Sequence, residues 1–272
     1  MKRFMEKLNY LINYLLREKG NIKIERIPSK LEDKKRLYRS LCNIREPKQI
    51  DEEYIKIENM YLQEELKKAK IINADEIENI EKTVTNPKIE NSNKICLWKG
   101  DITKLQIDAI VNAGNSQGLG CFIPCHNCID NQIHSLAGIS LRLECDTIMK
   151  QNNYYLHTGK AFITKGYNLP AKYVIHTVGP IVNNKVTEKE ELQLVNCYTS
   201  SLELAIKNGI HTIAFPCIST GEFKFPKKKA CELAILAVES FLKDNGANFE
   251  KIIFNVYGEE DYRIYEQTIR KC

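Results

Sequence analysis

The chain has 272 residues, 43% of them hydrophobic and 28% charged, with a formal net charge of +5. These values are typical of a globular protein, and the length allows one large domain together with a smaller one. No apolar run approaches the roughly 20 residues needed to span a bilayer, so no membrane association is expected. Lys227, Lys228 and Lys229 form the one basic cluster. We interpret it as the solvated start of a helix, and no nucleic-acid partner is expected.

The sequence predicts a cytoplasmic protein with reduced thiols. Charged residues such as Glu6, Lys7 and Arg17 interrupt what would be the apolar core of a secretion signal. The ten cysteines are scattered over a long chain, and three of them fall within eight residues of each other. This distribution favours a metal site over a framework of disulfides.

Residues 1–90 are predicted to form a helical N-terminal extension, and residues 91–272 a second domain. In the first part apolar residues recur at helical spacing: Leu8, Leu11, Ile12, Leu15, Leu37, Leu41, Ile44, Tyr54, Ile57, Met60, Tyr61 and Leu66. Asn86 and Pro87 interrupt the pattern near the point where strand-like sequence begins. The all-helical part is therefore expected to end there.

Beyond residue 90, short β-branched runs alternate with longer amphipathic stretches, which predicts an α/β domain with a mostly parallel or mixed sheet. The predicted strands are Lys94–Leu97, Ile107–Asn112, Gly159–Thr164, Tyr173–Val178, Thr212–Pro216 and Lys251–Tyr257. Two helices are predicted among them. One spans Leu192–Asn208 and ends at Gly209, and the other spans Pro226–Asn245 and ends at Gly246.

Two segments place polar or small residues after predicted strands. Asn112 and Asn115 end the second strand, and the carboxyl edge of an open α/β sheet is where ligands bind. After the fifth strand come Ser219, Thr220, Gly221, Glu222 and Phe223, whose small members let backbone N–H groups approach an anion. Taken separately, the two asparagines could equally fix only a turn, and a Ser-Thr-Gly loop is more often just a turn.

These segments, together with the turn at Gly100–Thr103, resemble the macrodomain family over roughly residues 94–270. The resemblance implies a three-layer α/β/α sandwich with a mixed central sheet, which binds ADP-ribose. It implies that Asp101 accepts from the adenine amino group with the Ile102 backbone nearby, and that Asn115 reaches the distal ribose. The diphosphate would lie against residues 219–223, and Tyr257 is a candidate wall for the adenosine end.

The segment Gly120–His134 packs three cysteines and two histidines into fifteen residues. Thiolate and imidazole are the ligands that zinc prefers, and Cys121, His126 and Cys128 can surround one ion from a single loop, with Cys125 as a rival ligand. This segment resembles the zinc-dependent branch of macrodomains, which implies one Zn²⁺ held by Cys121, His126 and Cys128. The branch also has a helical extension of similar size.

Three ligands leave a position open at the ion, which favours catalysis over a closed structural site. Members of the zinc-dependent branch remove ADP-ribose from modified proteins. The resemblance therefore predicts a hydrolase that acts on mono-ADP-ribosylated protein, with the ester to Asp or Glu as the preferred linkage. We expect Asn115 to orient the sugar, and Asp130 to act as a base or to support another group.

The sequence leaves several alternatives open. The zinc could be structural in a protein that only binds ADP-ribose, or the thiols could hold no metal. His134 could be a fourth ligand, a partner of a ligand or a surface residue. We interpret the remaining histidines and apolar-patterned cysteines as structural: His157, His176, His211, Cys145, Cys197, Cys217 and Cys231.

Overall fold

A six-stranded sheet lies between two layers of helices, and three further helices pack beside it. This computed structural model describes residues 2–20 and 27–271, so Met1, residues 21–26 and Cys272 of the predicted domains lie outside the described residues. The helices are α1 (Lys2–Lys19), α2 (Leu31–Ile44), α3 (Glu52–Leu66), α4 (Ile80–Thr83), α5 (Ile129–Ala137), α6 (Ile139–Gln151), α7 (Glu188–Lys207), α8 (Lys227–Asn245) and α9 (Glu259–Ile269). The strands are β1 (Ile72–Asn73), β2 (Ile95–Lys99), β3 (Leu105–Gln106), β4 (Ala109–Ala113), β5 (Ala161–Lys165), β6 (Tyr173–Thr177), β7 (Thr212–Phe215) and β8 (Lys251–Val256).

The large sheet has the strand order β2-β8-β7-β4-β6-β5. All neighbours are parallel except β5, which runs antiparallel to β6. Both faces are buried, because alternate side chains enter different cores: Ile110 packs towards α5 and α6, whereas Ala109 and Val111 pack towards α7, α8 and α9. The predicted mixed sheet within a three-layer sandwich is confirmed.

The two predicted helices are present, and their first residues differ from the predicted ones. Helix α7 begins at Glu188 rather than Leu192, because Thr187 and Glu190 form a capping box in which the Thr187 N–H donates to the glutamate at 2.9 Å. Helix α8 ends at Asn245 as predicted, and Gly246, with a φ of −56°, opens a short 3₁₀ turn. Among the described helices, none has the length and apolar character needed to cross a membrane.

Helices α1, α2 and α3 form a separate apolar core that includes Leu8, Ile12 and Tyr54, which confirms the N-terminal helical segment. The prediction that helix continues to about residue 86 is wrong. Strand β1 pairs with β3, and Ile80 and Val84 pack into the core of the sheet domain. Their apolar side chains are buried against the sheet rather than against the helical segment. The domain boundary near residue 90 stays a prediction.

Buried Glu58 joins the helical segment to the sheet domain. Its carboxylate accepts from the Tyr38 hydroxyl at 2.6 Å and from the backbone N–H of Ile139, in the first turn of α6, at 2.8 Å. Burial raises the pKa of Glu58, although these hydrogen bonds oppose the shift. The contact between the two parts is therefore polar as well as apolar.

Candidate active site

The candidate site lies where parallel strands β2, β8, β7 and β4 end, since their carboxyl ends meet at one edge of the sheet. Two adjoining clefts, of about 470 and about 550 Å³, occupy this edge. We call them the first and the second cleft. The first is lined by Gly114, Asn115, Cys121, His126, Cys128, Asp130 and residues 219–223. The second is lined by Asp101, Ile102, Gln132, Asn255, Tyr257 and Asp261.

The wall of the first cleft brings together Cys121, His126 and Cys128. Their ligand atoms lie within 4.8 Å of one another, and Cys121 Sγ is 3.7 Å from His126 Nδ1. A tetrahedral zinc ion, with usual Zn–S and Zn–N bond lengths, holds sulfur and nitrogen roughly 3.6 Å apart. The three residues therefore fit zinc in both donor type and spacing. The rival ligand Cys125 instead directs its Sγ at the Arg36 carbonyl, 3.3 Å away.

The Cys/His loop, residues 120–128, is shaped by local contacts. Gly120 has a φ of +84°, and a Cβ there would come within 2.6 Å of the His134 ring, so only glycine fits. Cys128 is the N-cap of α5, because its Sγ accepts from the Asn131 N–H at 3.4 Å. The buried Asn131 side chain also donates to the Ile123 carbonyl at 2.9 Å. Asn131 therefore ties the loop to α5.

Cys128 is a partly buried thiol whose pKa lies above its usual range. Burial, with the neighbouring Cys121 and Asp130 as smaller contributors, raises the pKa of Cys128 to about 12. A zinc ion stabilises a coordinating thiolate and reverses such a shift. The raised pKa therefore keeps Cys128 a neutral thiol unless a metal ion coordinates its sulfur.

Asp130 lies at the floor of the first cleft and is 3% exposed. Its Oδ1 accepts from Asn112 Nδ2 at 2.7 Å, and its Oδ2 accepts from Asn115 Nδ2 at 3.3 Å. Burial raises the pKa of Asp130 to about 6. Asn115 lines the cleft, as predicted. Asn112 does not, because its strand position buries it behind Asp130, where its Nδ2 also lies 3.1 Å from His176 Nδ1.

The loop of residues 219–223 closes the first cleft from the side of β7. Ser219 has a φ of +65°, unusual for a residue with a side chain, and its buried Oγ has no hydrogen-bond partner among the described residues. A Cβ added at Gly179 would lie 1.9 Å from Ser219 Oγ, so this oxygen packs directly against the glycine. Across the cleft, Glu222 Oε1 lies 3.6 Å from His126 Nε2. The two loops therefore meet over the first cleft.

The second cleft contains the predicted Asp101 and Ile102. Asp101 is exposed, and its Oδ1 accepts from the backbone N–H and the hydroxyl of Thr103, at 3.0 and 2.6 Å, whereas Oδ2 has no hydrogen-bond partner among the described residues. Tyr257 follows the end of β8 and is 84% exposed, so it is free to cover a ligand. Gln132 and Asp261 also line this cleft and were not predicted, because neither belongs to a recognisable motif.

His134 does not lie with the three candidate metal ligands. It is buried, so the surface interpretation is wrong, and both ring nitrogens lack a hydrogen-bond partner among the described residues. Its Nε2 lies 3.6 Å from Asp130 Oδ1, and the ring groups with Cys145 and His176 in the core. Cys217 is partly exposed and lines both clefts, so it is not simply a core thiol.

Comparison with known proteins agrees with this fold. The Macro domain model matches residues 111–234. A Treponema medium protein named protein-ADP-ribose hydrolase is 44% identical over 264 residues, which cover 97% of this chain and 98% of that protein. A Staphylococcus aureus (strain MSSA476) protein of the same name is 40% identical over 266 residues, which cover 97% and 96%. The chain therefore belongs to the macrodomain family.

A solved structure shows the same fold. The Trypanosoma brucei macrodomain in complex with ADP-ribose matches with a TM-score of 0.66 at 29% sequence identity. The match covers 85% of this chain and 94% of that chain, so it extends beyond the residues of the family model.

Proposed function

We propose that this chain is a zinc-dependent hydrolase that removes mono-ADP-ribose from modified proteins, with a preference for the ester to Asp or Glu. Hydrolysis of an ADP-ribosyl linkage is the activity named for relatives that match it over nearly its whole length. The observation that carries the zinc proposal is the position of Cys121, His126 and Cys128 on the wall of the cleft that also holds Asn115 and Asp130.

The two clefts hold different parts of ADP-ribose. In the second cleft, the free Oδ2 of Asp101 accepts from the adenine amino group, the Ile102 backbone lies beside the ring, and Tyr257 covers it. The diphosphate lies in the first cleft against the backbone of residues 219–223. The distal ribose and the linkage then lie in the first cleft.

A zinc ion held by Cys121, His126 and Cys128 would supply a Lewis acid to the first cleft. Asn115 orients the distal ribose. Asp130, held on both oxygens by asparagine side chains, accepts the proton that the attacking water loses. Water adds, the ribosyl ester bond breaks, and ADP-ribose and a free protein carboxylate are released.

The preference for an ester follows from the leaving group. A carboxylate leaves without being protonated, whereas an amine or a serine hydroxyl needs a positioned acid. In the first cleft, the buried carboxyl group of Asp130 is assigned to the base, and the Glu222 carboxylate is exposed and faces His126. An ester to Asp or Glu is therefore the linkage that these residues can cleave without a further acid.

We expect the purified protein to release ADP-ribose from an aspartate- or glutamate-modified protein faster than from serine- or arginine-modified protein, by at least about tenfold, or about 1.4 kcal/mol of barrier. The four substrates are compared at equal modification, and free ADP-ribose is quantified. Equal rates on all four would contradict the ester preference. Tight binding of ADP-ribose without release from any substrate would leave a binding protein with a structural zinc.

A further inference from the structure

Helix α2 of the N-terminal segment contacts the Cys/His loop directly through Arg39. The guanidinium Nη2 donates to the carbonyl oxygen of His126 at 2.7 Å and to Asn131 Oδ1 at 2.6 Å. Arg39 Nε donates to the same Asn131 oxygen at 3.2 Å. Asn131 itself holds the loop through the Ile123 carbonyl. Arg39 therefore fixes both the proposed zinc ligand His126 and Asn131, which supports the loop.

A second residue of α2, Asn43, fixes the turn between the ligands. Its side chain is 1% exposed, accepts from the Cys125 N–H at 2.8 Å and donates to Ser135 Oγ at 3.0 Å. Cys125 has a φ of +52°, in the left-handed region that residues with side chains rarely occupy. The bond from Asn43 therefore holds the loop in a conformation that it would not keep alone.

Arg142 of α6 connects the end of α2 to the start of the loop. Its Nη1 donates to carbonyls at the end of α2, including Asn43 O at 2.8 Å. Its Nε donates to Leu119 O at 2.8 Å, and its Nη2 to Cys121 O at 3.4 Å. The Cys121 and His126 carbonyls and the Cys125 N–H are thus all held by α2, directly or through Arg142.

We propose that α2 is a positioning element of the metal site, which acts through Arg39 and Asn43 on the backbone of the Cys/His loop. The inference rests on the proposed role of that loop in holding zinc. A loop that is ordered in advance loses less conformational entropy when it binds an ion. The helical segment supplies no ligand, yet it sets how tightly the ligands hold the metal.

The test measures zinc affinity by competition with a chelator, in the full-length protein and in Arg39→Met and Asn43→Leu variants. Replacing a group that orients metal ligands weakens metal binding about 10- to 100-fold, so we expect at least tenfold weaker zinc binding in each variant. Arg36→Met is the matched control, because Arg36 lies on the same helix and is exposed. Its zinc affinity should equal that of the wild type.

Amide hydrogen exchange in the metal-free proteins supplies a second, metal-independent readout. We expect faster exchange at residues 121–128 in the Arg39 and Asn43 variants, with unchanged exchange in the sheet. Unchanged zinc affinity, or exchange that rises equally across the whole chain, would overturn the proposal. If Arg39→Met does not fold, Arg39→Lys, which keeps the charge but not the forked pair of bonds, takes its place.

Failure of the proposed function gives a different result from failure of this inference. A wild-type protein that binds no zinc contradicts zinc-dependent hydrolysis. Exchange at residues 121–128 of the variants still decides whether α2 positions the loop. A wild-type protein that binds zinc, together with folded variants that bind it equally well, contradicts the positioning role alone.

Discussion

A Cys128→Ser variant is expected to lose its zinc and to hydrolyse the ADP-ribosyl ester at least about 100-fold more slowly, a barrier increase of about 2.7 kcal/mol. The serine hydroxyl is a poor zinc ligand, and two ligands remain. Serine is chosen over alanine because Cys128 also caps α5, and serine is a preferred N-cap that keeps the bond from Asn131. The fold should therefore survive. Zinc content and ADP-ribose release are measured on the same preparation.

Cys125→Ser is the matched control for this variant. Cys125 lies in the same loop, and a serine there can still donate to the Arg36 carbonyl. We expect zinc content and hydrolysis close to those of the wild type. A Cys128→Ser protein that has lost its zinc and still hydrolyses the ester at the wild-type rate would exclude a catalytic metal.

An Arg142→Met variant is expected to lower the free energy of unfolding by about 3–5 kcal/mol. The buried guanidinium donates to five backbone carbonyls, those of Cys42, Asn43, Arg45, Leu119 and Cys121. Methionine fills much of the same volume and offers no donor. These carbonyls lie at the end of α2 and the start of the Cys/His loop, so loss of their donor leaves buried acceptors unpaired.

Urea denaturation followed by circular dichroism measures the effect of Arg142→Met. Arg263→Met is the control, because Arg263 is exposed on α9 and its ion pair with Glu259 lies on the surface. The control should change the free energy of unfolding by no more than about 0.5 kcal/mol. A loss below about 1 kcal/mol for Arg142→Met would mean that water replaces the guanidinium, and that it does not hold α2 to the loop.

Local sequence pattern predicted most of the sheet domain. Each of the six predicted strands overlaps a strand of the large sheet, because β-branched runs bounded by turn residues are a local signal. Local pattern did not predict where the N-terminal helical segment ends. Ile80 and Val84 have helical spacing but pack on the sheet, and only the tertiary contact distinguishes the two cases.

The candidate site was predicted where its residues are close together in the chain. Cys121, His126 and Cys128 lie in one loop, so their residue types indicated a metal site, although spacing left Cys125 as a rival ligand and only the family resemblance singled out the three. The groups that hold the loop come from distant segments: Arg39 is on α2 and Arg142 is on α6. Neither was assigned a role from the sequence, because an arginine on an amphipathic helix looks like a solvated residue until the structure shows its partners.

The measurement that most directly tests zinc-dependent hydrolysis is a zinc titration of metal-free wild-type protein, with ADP-ribose release from a glutamate-modified protein as the readout. ADP-ribose binding is measured alongside, to show that the metal-free protein is folded. We predict little release without metal and a rise that levels off at one zinc per chain. Full release by metal-free protein, unchanged by added zinc, would contradict zinc-dependent hydrolysis and leave the metal a structural role.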